Sequence, residues 1–470
     1  MITRRAKSWT GTPLYAVLCA LFAGQSLGWL WPAAEAPSDR PDDWDFGLQV
    51  SSGVYLIDLD LHKIPVYSGS ELAGFRVSYT GTVRLGLPRP QEFRVLFDSG
   101  SGQLIVPSSS CVSEVCLKHS RYNVSDFSSS RFVQMDGRLT PARSTPEQVM
   151  IQFGQGQVRG QMVRERVCAG RRIDSQSGEH ATGSPDAAED SACVAMNTVI
   201  ANELSASPWA AFPFDGIVGL GLPPLSLTPE FSFFGALHAR GLLRQRRFGM
   251  YLAESGEGSE LALGGINPTR VGGQLQWTSV VQPEQGHWQV DIVGVHIGGR
   301  TLDVCRGGGC RGVIDTGTSQ LAVPSPHEKN ILEMLTMPAG DIRDCRFIES
   351  HPPILIELGS FNITLQPEDY MRQLPAPAVA PPGAGGGSAF PAERQEKLCK
   401  PRIVGVNMPT TIGAKTFILG QPLLHRYYTV YDFEGPRVGF ALAVQGGVAP
   451  RGPLPADAPR EAPPRSDVED

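Results

Sequence analysis

One stretch of this chain occurs twice. Phe93-Arg94-Val95-Leu96-Phe97-Asp98-Ser99-Gly100-Ser101-Gly102-Gln103-Leu104-Ile105-Val106-Pro107-Ser108 is echoed by Gly312-Val313-Ile314-Asp315-Thr316-Gly317-Thr318-Ser319-Gln320-Leu321-Ala322-Val323-Pro324-Ser325, its aspartate 217 residues further on. Each copy reads as an apolar strand, an Asp-hydroxyl-Gly-hydroxyl turn and a second apolar strand ending Val-Pro-Ser. A single Asp-Ser/Thr-Gly carries little information, but two with matching strands on both sides point to a fold built from two related halves.

The chemistry of such a turn follows from its residue types. Flanking apolar strands draw Asp98 and Asp315 into partly desolvated positions. Gly100 and Gly317 permit a sharp turn and close approach of the backbone. Ser99, Ser101, Thr316 and Thr318 supply hydroxyls that can bond backbone groups and stiffen the loops. If a pseudo-twofold axis relates the halves, the two carboxylates meet on it. Two carboxylates that close cannot both ionise readily and share one proton. The ionised member can then accept a proton from water while the protonated member polarises a carbonyl.

The rest of the chain fits a β-rich protein. Apolar runs at 54–61, 81–85, 93–97, 104–106 and 149–153, punctuated by 53 glycines and 39 prolines, predict short antiparallel strands. Helices are expected only at Glu230–Arg240 and His327–Leu335. The 41 basic and 47 acidic side chains leave a net charge of −6, which gives no electrostatic reason for a nucleic-acid partner.

The amino terminus has the layout of a secretory signal: Arg4, Arg5 and Lys7, then an apolar run from Leu14 to Ala23, then small residues with Ala34-Glu35-Ala36 as a cleavage site and Gly24-Gln25-Ser26 as a second candidate. An uncleaved anchor is the competing reading, since Leu14 to Trp31 reaches the lower edge of a membrane span. Apart from Cys19 in the signal, eight cysteines remain. They fall in sequence as Cys111 and Cys116, Cys168 and Cys193, Cys305 and Cys310, then Cys345 and Cys399. In an oxidising compartment an even set of this kind reads as four disulfides, for which sequence order suggests nearest-neighbour pairing. A zinc site is disfavoured by the lack of any CxxC or histidine pair at ligand spacing. Sequons at Asn123 and Asn362 are expected glycosylation sites. Residues 171–192, 374–397 and 448–470 lack the apolar content to pack and are expected to be disordered surface.

On these residues the chain resembles the pepsin-like aspartic proteases over roughly residues 77–443. Phe214-Asp215-Gly216-Ile217-Val218-Gly219-Leu220 and Phe417-Ile418-Leu419-Gly420 are similar to the family's strands beneath the two Asp loops. The pairs Cys111 with Cys116, Cys305 with Cys310 and Cys345 with Cys399 match its usual disulfide positions, whereas Cys168 with Cys193 is extra. The resemblance implies an all-β-dominated, bilobal fold with a central cleft. It divides the chain into a signal peptide (1–36), a prosegment or N-terminal extension (37–76), an N-terminal lobe (77–268), a C-terminal lobe (269–443) and a disordered tail (444–470). It implies an aspartic endopeptidase with Asp98 and Asp315 catalytic, no metal and no cofactor. Its partners would be a peptide or protein substrate with apolar residues around the cut and statine-type inhibitors. The expected state is a monomer, with no membrane contact after signal cleavage, secreted or in a vacuolar or lysosomal-type compartment. The alternative is a catalytically impaired peptide-binding or inhibitor-like protein on the same fold.

Three departures from the family pattern stand out. The flap tyrosine followed by Gly-Thr-Gly is replaced by Phe153-Gly154-Gln155-Gly156, and the tryptophan that bonds it by Ile105. Because both partners are apolar, no polar group is stranded and a repacked lid that still closes is expected. Gln421 stands where the family often has Asp, expected to be a minor change. Lys63 is the one lysine in the extension that could seat between the aspartates and hold a precursor inactive. His119, His287 and His296 form no catalytic constellation and are expected to serve packing or surface roles.

Overall fold

The computed structural model describes residues 15–16, 52–68, 71–153, 156–173, 191–340, 342, 344–348, 350–372 and 398–446. Of the leader, only Tyr15–Ala16 falls within these, running parallel to Val149–Met150. The rest of the expected signal peptide, Gly154 and Gln155 of the expected flap, most of 171–192, 374–397 and the residues from 447 lie outside the described residues.

Strands dominate the fold. A sixteen-stranded sheet runs through both halves of the chain, joined by sheets of five, four and two strands. The expected strands are present and longer than their apolar runs: Val54–Ser68, Glu71–Leu85, Gln91–Asp98, Leu104–Pro107 and Gln148–Phe153. They lengthen because cross-strand pairing carries polar residues along on the solvent face. Val54–Ser68 pairs with Glu71–Leu85 on one side and with Ser259–Leu263 on the other, so this part of the N-terminal extension is built into the sheet.

The two halves repeat one topology. In the first, Gly216–Gly219 lies parallel to Gln91–Asp98 and antiparallel to Leu104–Pro107. In the second, Thr416–Leu419 lies parallel to Cys310–Ile314 and antiparallel to Leu321–Pro324. Each Asp loop therefore sits at the end of a strand clamped by a later one. All strand residues 104–107, 216–219 and 321–324 are buried, which fixes the loops on a rigid base. A core through both halves includes Phe93, Val218, Trp288, Ile314 and Tyr431, and a second cluster under the first half includes Ile105, Val158, Trp209 and Phe214.

All four nearest-neighbour disulfides are present. Cys111 is bonded to Cys116 with their Cα atoms 5.8 Å apart, and Cys168 to Cys193 at 4.0 Å. Cys305 is bonded to Cys310 at 5.2 Å, and Cys345 to Cys399 at 5.5 Å. Cys116 and Cys399 are both fully buried, and Cys399 lies opposite Met337 in a two-stranded pairing that sets its approach to Cys345. Cys168 and Cys193 are directly opposed on paired strands, so the extra disulfide locks the base of the hairpin that carries the 171–192 segment.

The second expected helix forms as Glu328–Leu335. The first is shorter than expected, running from Phe233 to Ala239. Ser232 caps it by accepting from the Gly235 N–H at 3.1 Å, and Pro229–Phe231 form a separate 3-10 turn. A good N-cap residue beats the continuous apolar pattern in setting a helix start.

Candidate active site

The structure brings the two Asp loops together through four hydrogen bonds that cross the pseudo-axis. Ser99 N donates to Thr316 Oγ1 at 2.9 Å and Thr316 N to Ser99 Oγ at 3.0 Å. Each hydroxyl then donates to the strand before the opposite loop, Ser99 Oγ to Ile314 O at 2.9 Å and Thr316 Oγ1 to Phe97 O at 2.7 Å. Both side chains are buried, so each bond replaces water that cannot reach it. The serine in the first loop supplies the same hydroxyl as the threonine in the second.

With the loops tied, the carboxyls of Asp98 and Asp315 share one site. A methyl group on Gly100 would lie 3.2 Å from Asp98 Oδ1 and 3.3 Å from Asp315 Oδ1. One on Gly317 would lie 2.6 Å from Asp98 Oδ1 and 3.3 Å from Asp315 Oδ1. The glycines are required by this crowding, since neither has a positive φ.

The two carboxyls are held differently. Each Oδ1 accepts from the glycine N–H of its own loop, Gly100 at 2.9 Å and Gly317 at 2.8 Å. Asp315 gains a second donor, the Thr318 hydroxyl, at 2.6 Å to Oδ2. The Ser101 hydroxyl, at the equivalent place in the first loop, is buried close to Asp98 but makes no bond of normal geometry. Burial pushes the Asp98 carboxyl well above the usual carboxylate range, and the neighbouring Asp315 charge adds to this; Ser101 and the Gly100 N–H pull the other way.

The loops are also anchored from behind. Leu220 N donates to Asp98 O at 2.8 Å, Gly221 N to Ser101 O at 2.8 Å, and Gln421 N to Thr318 O at 3.0 Å. Trp288, fully buried, ties the halves by donating to Leu220 O at 2.9 Å.

Other residues singled out from sequence fall in different places. Ile105 is buried among Ile151, Val158 and Phe214, and Phe153 ends the strand that turns into Gly156–Ala169. The Phe153 side chain lies outside the described residues. Lys63 is exposed on the Val54–Ser68 strand opposite Val77 and makes no ion pair with either aspartate among the described residues. Asn123 caps a short 3-10 turn and Asn362 opens a strand, both half-buried. His119 packs edge-on to Trp209, and His296 lies 3.6 Å from Glu357.

His287 is the residue that the sequence reading passed over. Gln289 pairs with Val313, and Ile314 N donates to Trp288 O at 3.0 Å, so one step further His287 stands opposite Asp315. Burial lowers its proton affinity and the Asp315 charge partly restores it. Only strand register reveals this, because the two residues lie far apart along the chain.

Known proteins share this pattern. The sequence model for "Eukaryotic aspartyl protease" matches residues 78–379. The chain is 30% identical to pepsin II-1 of Oryctolagus cuniculus over 373 residues, 78% of this chain and 81% of the relative. It is 29% identical to cathepsin E of Aquarana catesbeiana over 375 residues, 78% and 80% of the two chains. It is also 29% identical to a pregnancy-associated glycoprotein of Equus caballus over 374 residues, 78% and 82%.

Proposed function

Because the chain belongs to the eukaryotic aspartyl protease family, we propose that it is an endopeptidase in which Asp98 and Asp315 activate water against a peptide bond. The observation that carries this reading is the reciprocal bonding of Ser99 and Thr316, which holds both carboxyls in one site.

In this mechanism one proton is shared and rests on Asp98, the carboxyl whose burial disfavours charge. Asp315, ionised and held by the Gly317 N–H and the Thr318 hydroxyl, accepts a proton from the bound water. The water oxygen bonds to the carbonyl carbon while protonated Asp98 donates to the carbonyl oxygen. As the C–N bond breaks, the proton on Asp315 passes to the leaving amine and Asp98 recovers its own proton. The dyad returns to its singly protonated form. The loops need not move, because the strands beneath them are buried and the loop bonds are already made.

The finer features are proposals of the same kind. The substrate is an extended polypeptide with apolar residues flanking the cut, under a lid formed by Phe153, Gly154 and Gln155. The lobes divide at 268/269. Passage through the secretory pathway is supported by the four disulfides. No helix among the described residues is long and apolar enough to cross a membrane.

The test is digestion of a mixed peptide library from pH 3 to 8 by the processed chain and by Asp98→Asn, with and without a statine-type inhibitor. Cleavage abolished by the substitution and by the inhibitor is the expected result. Retained inhibitor binding with no cleavage at any pH would replace the reading with that of a peptide-binding protein.

A further inference from the structure

We propose that the chain carries, outside the dyad, a binding pocket for a carboxylate borne on an apolar body. A cavity of about 140 Å³, open to solvent, lies between the 54–85 hairpin and the segments bearing Arg346, Arg372, Arg402 and His425. Phe75, Val77 and Met371 give it an apolar side, and Phe75 is 48% exposed at its rim.

The polar side is short of negative charge. Four cations line it, Lys63, Arg346, Arg372 and Arg402, against one carboxylate, Glu254. Arg346 is already matched, with Asp344 at 2.6 Å and Glu254 at 2.6 Å. Arg402 donates to the backbone oxygen of Asp369, and its Nε is buried with no partner. Among the described residues neither Arg402, Arg372 nor Lys63 has a carboxylate within ion-pair distance. Half-buried guanidinium groups without a counter-ion are costly, and a planar fork of N–H donors matches a carboxylate.

His425 supplies an independent sign that this wall is built for a polar occupant. Tyr79 Oη donates its one proton to Ala253 O at 2.7 Å. Its 2.9 Å bond with His425 Nε2 is therefore donated by the imidazole. Nδ1 is left as an acceptor with no partner, in a side chain only 6% exposed. His425 and Arg402, the residues that carry these two stranded atoms, both line the cavity.

The pocket is also wired to the second Asp loop. Gln421 Nε2 donates to Val77 O at 3.0 Å, and the Gln421 N–H holds Thr318, whose hydroxyl bonds Asp315. Two sources can supply the carboxylate, a free amphipathic acid or an acidic residue of a bound polypeptide. Only the second rests on the endopeptidase reading.

Calorimetric titration of the full chain at pH 7 with 4-phenylbutyrate, and with its uncharged amide, tests the pocket without any cleavage. The acid is expected to bind saturably at one site, and the amide about tenfold or more weaker. Arg372→Met and Arg402→Met should each weaken the acid about tenfold or more, and Phe75→Ser, a surface change that leaves the fold intact, should weaken acid and amide alike. No saturable binding of the acid, equal binding of the amide, or binding indifferent to Arg372→Met overturns the proposal. Cleavage of peptides carrying Glu or Gln at successive positions then separates the sources. A Glu preference suppressed by 4-phenylbutyrate assigns the pocket to polypeptide, and probe binding without such a preference assigns it to a free acid. If no peptide is cleaved at all, the titration still decides the pocket, while the endopeptidase reading falls alone.

Discussion

The first and second Asp loops are alike in what joins them and unlike in what charges them. Ser99 and Thr316 make the same pair of bonds in opposite directions, within 0.2 Å of one another. Three residues after each aspartate the likeness ends. Thr318 bonds Asp315 at 2.6 Å, whereas the Ser101 hydroxyl lies near Asp98 without a bond of normal geometry. A duplicated scaffold thus holds two identical groups in position while their surroundings differ, Asp98 by burial and Asp315 by a second hydrogen-bond donor. In the proposed mechanism, environment and not residue type separates general acid from general base.

The glycines offer the strongest way to break this comparison. Gly317→Ala would press a methyl group 2.6 Å from Asp98 Oδ1, against 3.2 Å for Gly100→Ala. Displacing a reacting group by about 1 Å costs about 100-fold in rate. We therefore expect kcat/KM to fall about 100-fold in Gly317→Ala and clearly less in Gly100→Ala. Equal losses would show that the crowding is symmetric after all.

Next come the hydroxyls that differ. Thr318→Val removes a donor from the Asp315 carboxyl, the base in the proposed mechanism, and should lower kcat about tenfold, in line with the strength of a bond to a charged group. Ser101→Ala should stay within about twofold, since it removes no bond of normal geometry. Steady-state kinetics on a single peptide substrate would read both, and a larger loss in Ser101→Ala would reverse the assignment.

The shared grip predicts symmetry instead. Thr316→Val and Ser99→Ala should each lower stability by about 1–3 kcal/mol, because each strands a buried N–H in the opposite loop. Chemical denaturation would measure this, and a double variant losing much less than the sum would show that the two hydroxyls act as one unit.

The smallest effect concerns pH and stability. The Asp98 carboxyl titrates higher in the fold than in the unfolded chain, so folding takes up protons there. Stability from this group is complete below the ordinary carboxylate range and is lost as pH rises through the raised value. Asp98→Asn should therefore raise the melting temperature at pH 8 and leave it unchanged at pH 3.5. Catalysis should decline over the same rise in pH, as the shared proton leaves.

Much of this was legible in the sequence because it is local. The apolar strands, the Asp-hydroxyl-Gly turns and the closely spaced cysteines such as Cys111 and Cys116 are written in nearby residues, and the duplication of the turns implied two lobes. Cys345 and Cys399 lie 54 residues apart, and their order along the chain and the family resemblance, not local spacing, suggested the bond that packing makes. What escaped depends on register and on contacts across the chain. His287 comes opposite Asp315 only through antiparallel register, and the buried Gln421 side chain donates to Val77 O. Lys63 has the right chemistry to block the dyad but is carried by strand pairing to a different cavity. The helix expected from Glu230 lost its start to Ser232, whose side chain satisfies a backbone N–H that a continuous helix would have used differently.

The mechanism requires one proton on Asp98 while Asp315 is charged. Neutron diffraction from deuterated crystals grown near pH 6 would locate it directly. A deuteron on Asp98, with a bare Asp315 carboxylate accepting from the Gly317 amide and the Thr318 hydroxyl, is the predicted result. A deuteron on Asp315, or none on either carboxyl, would contradict it.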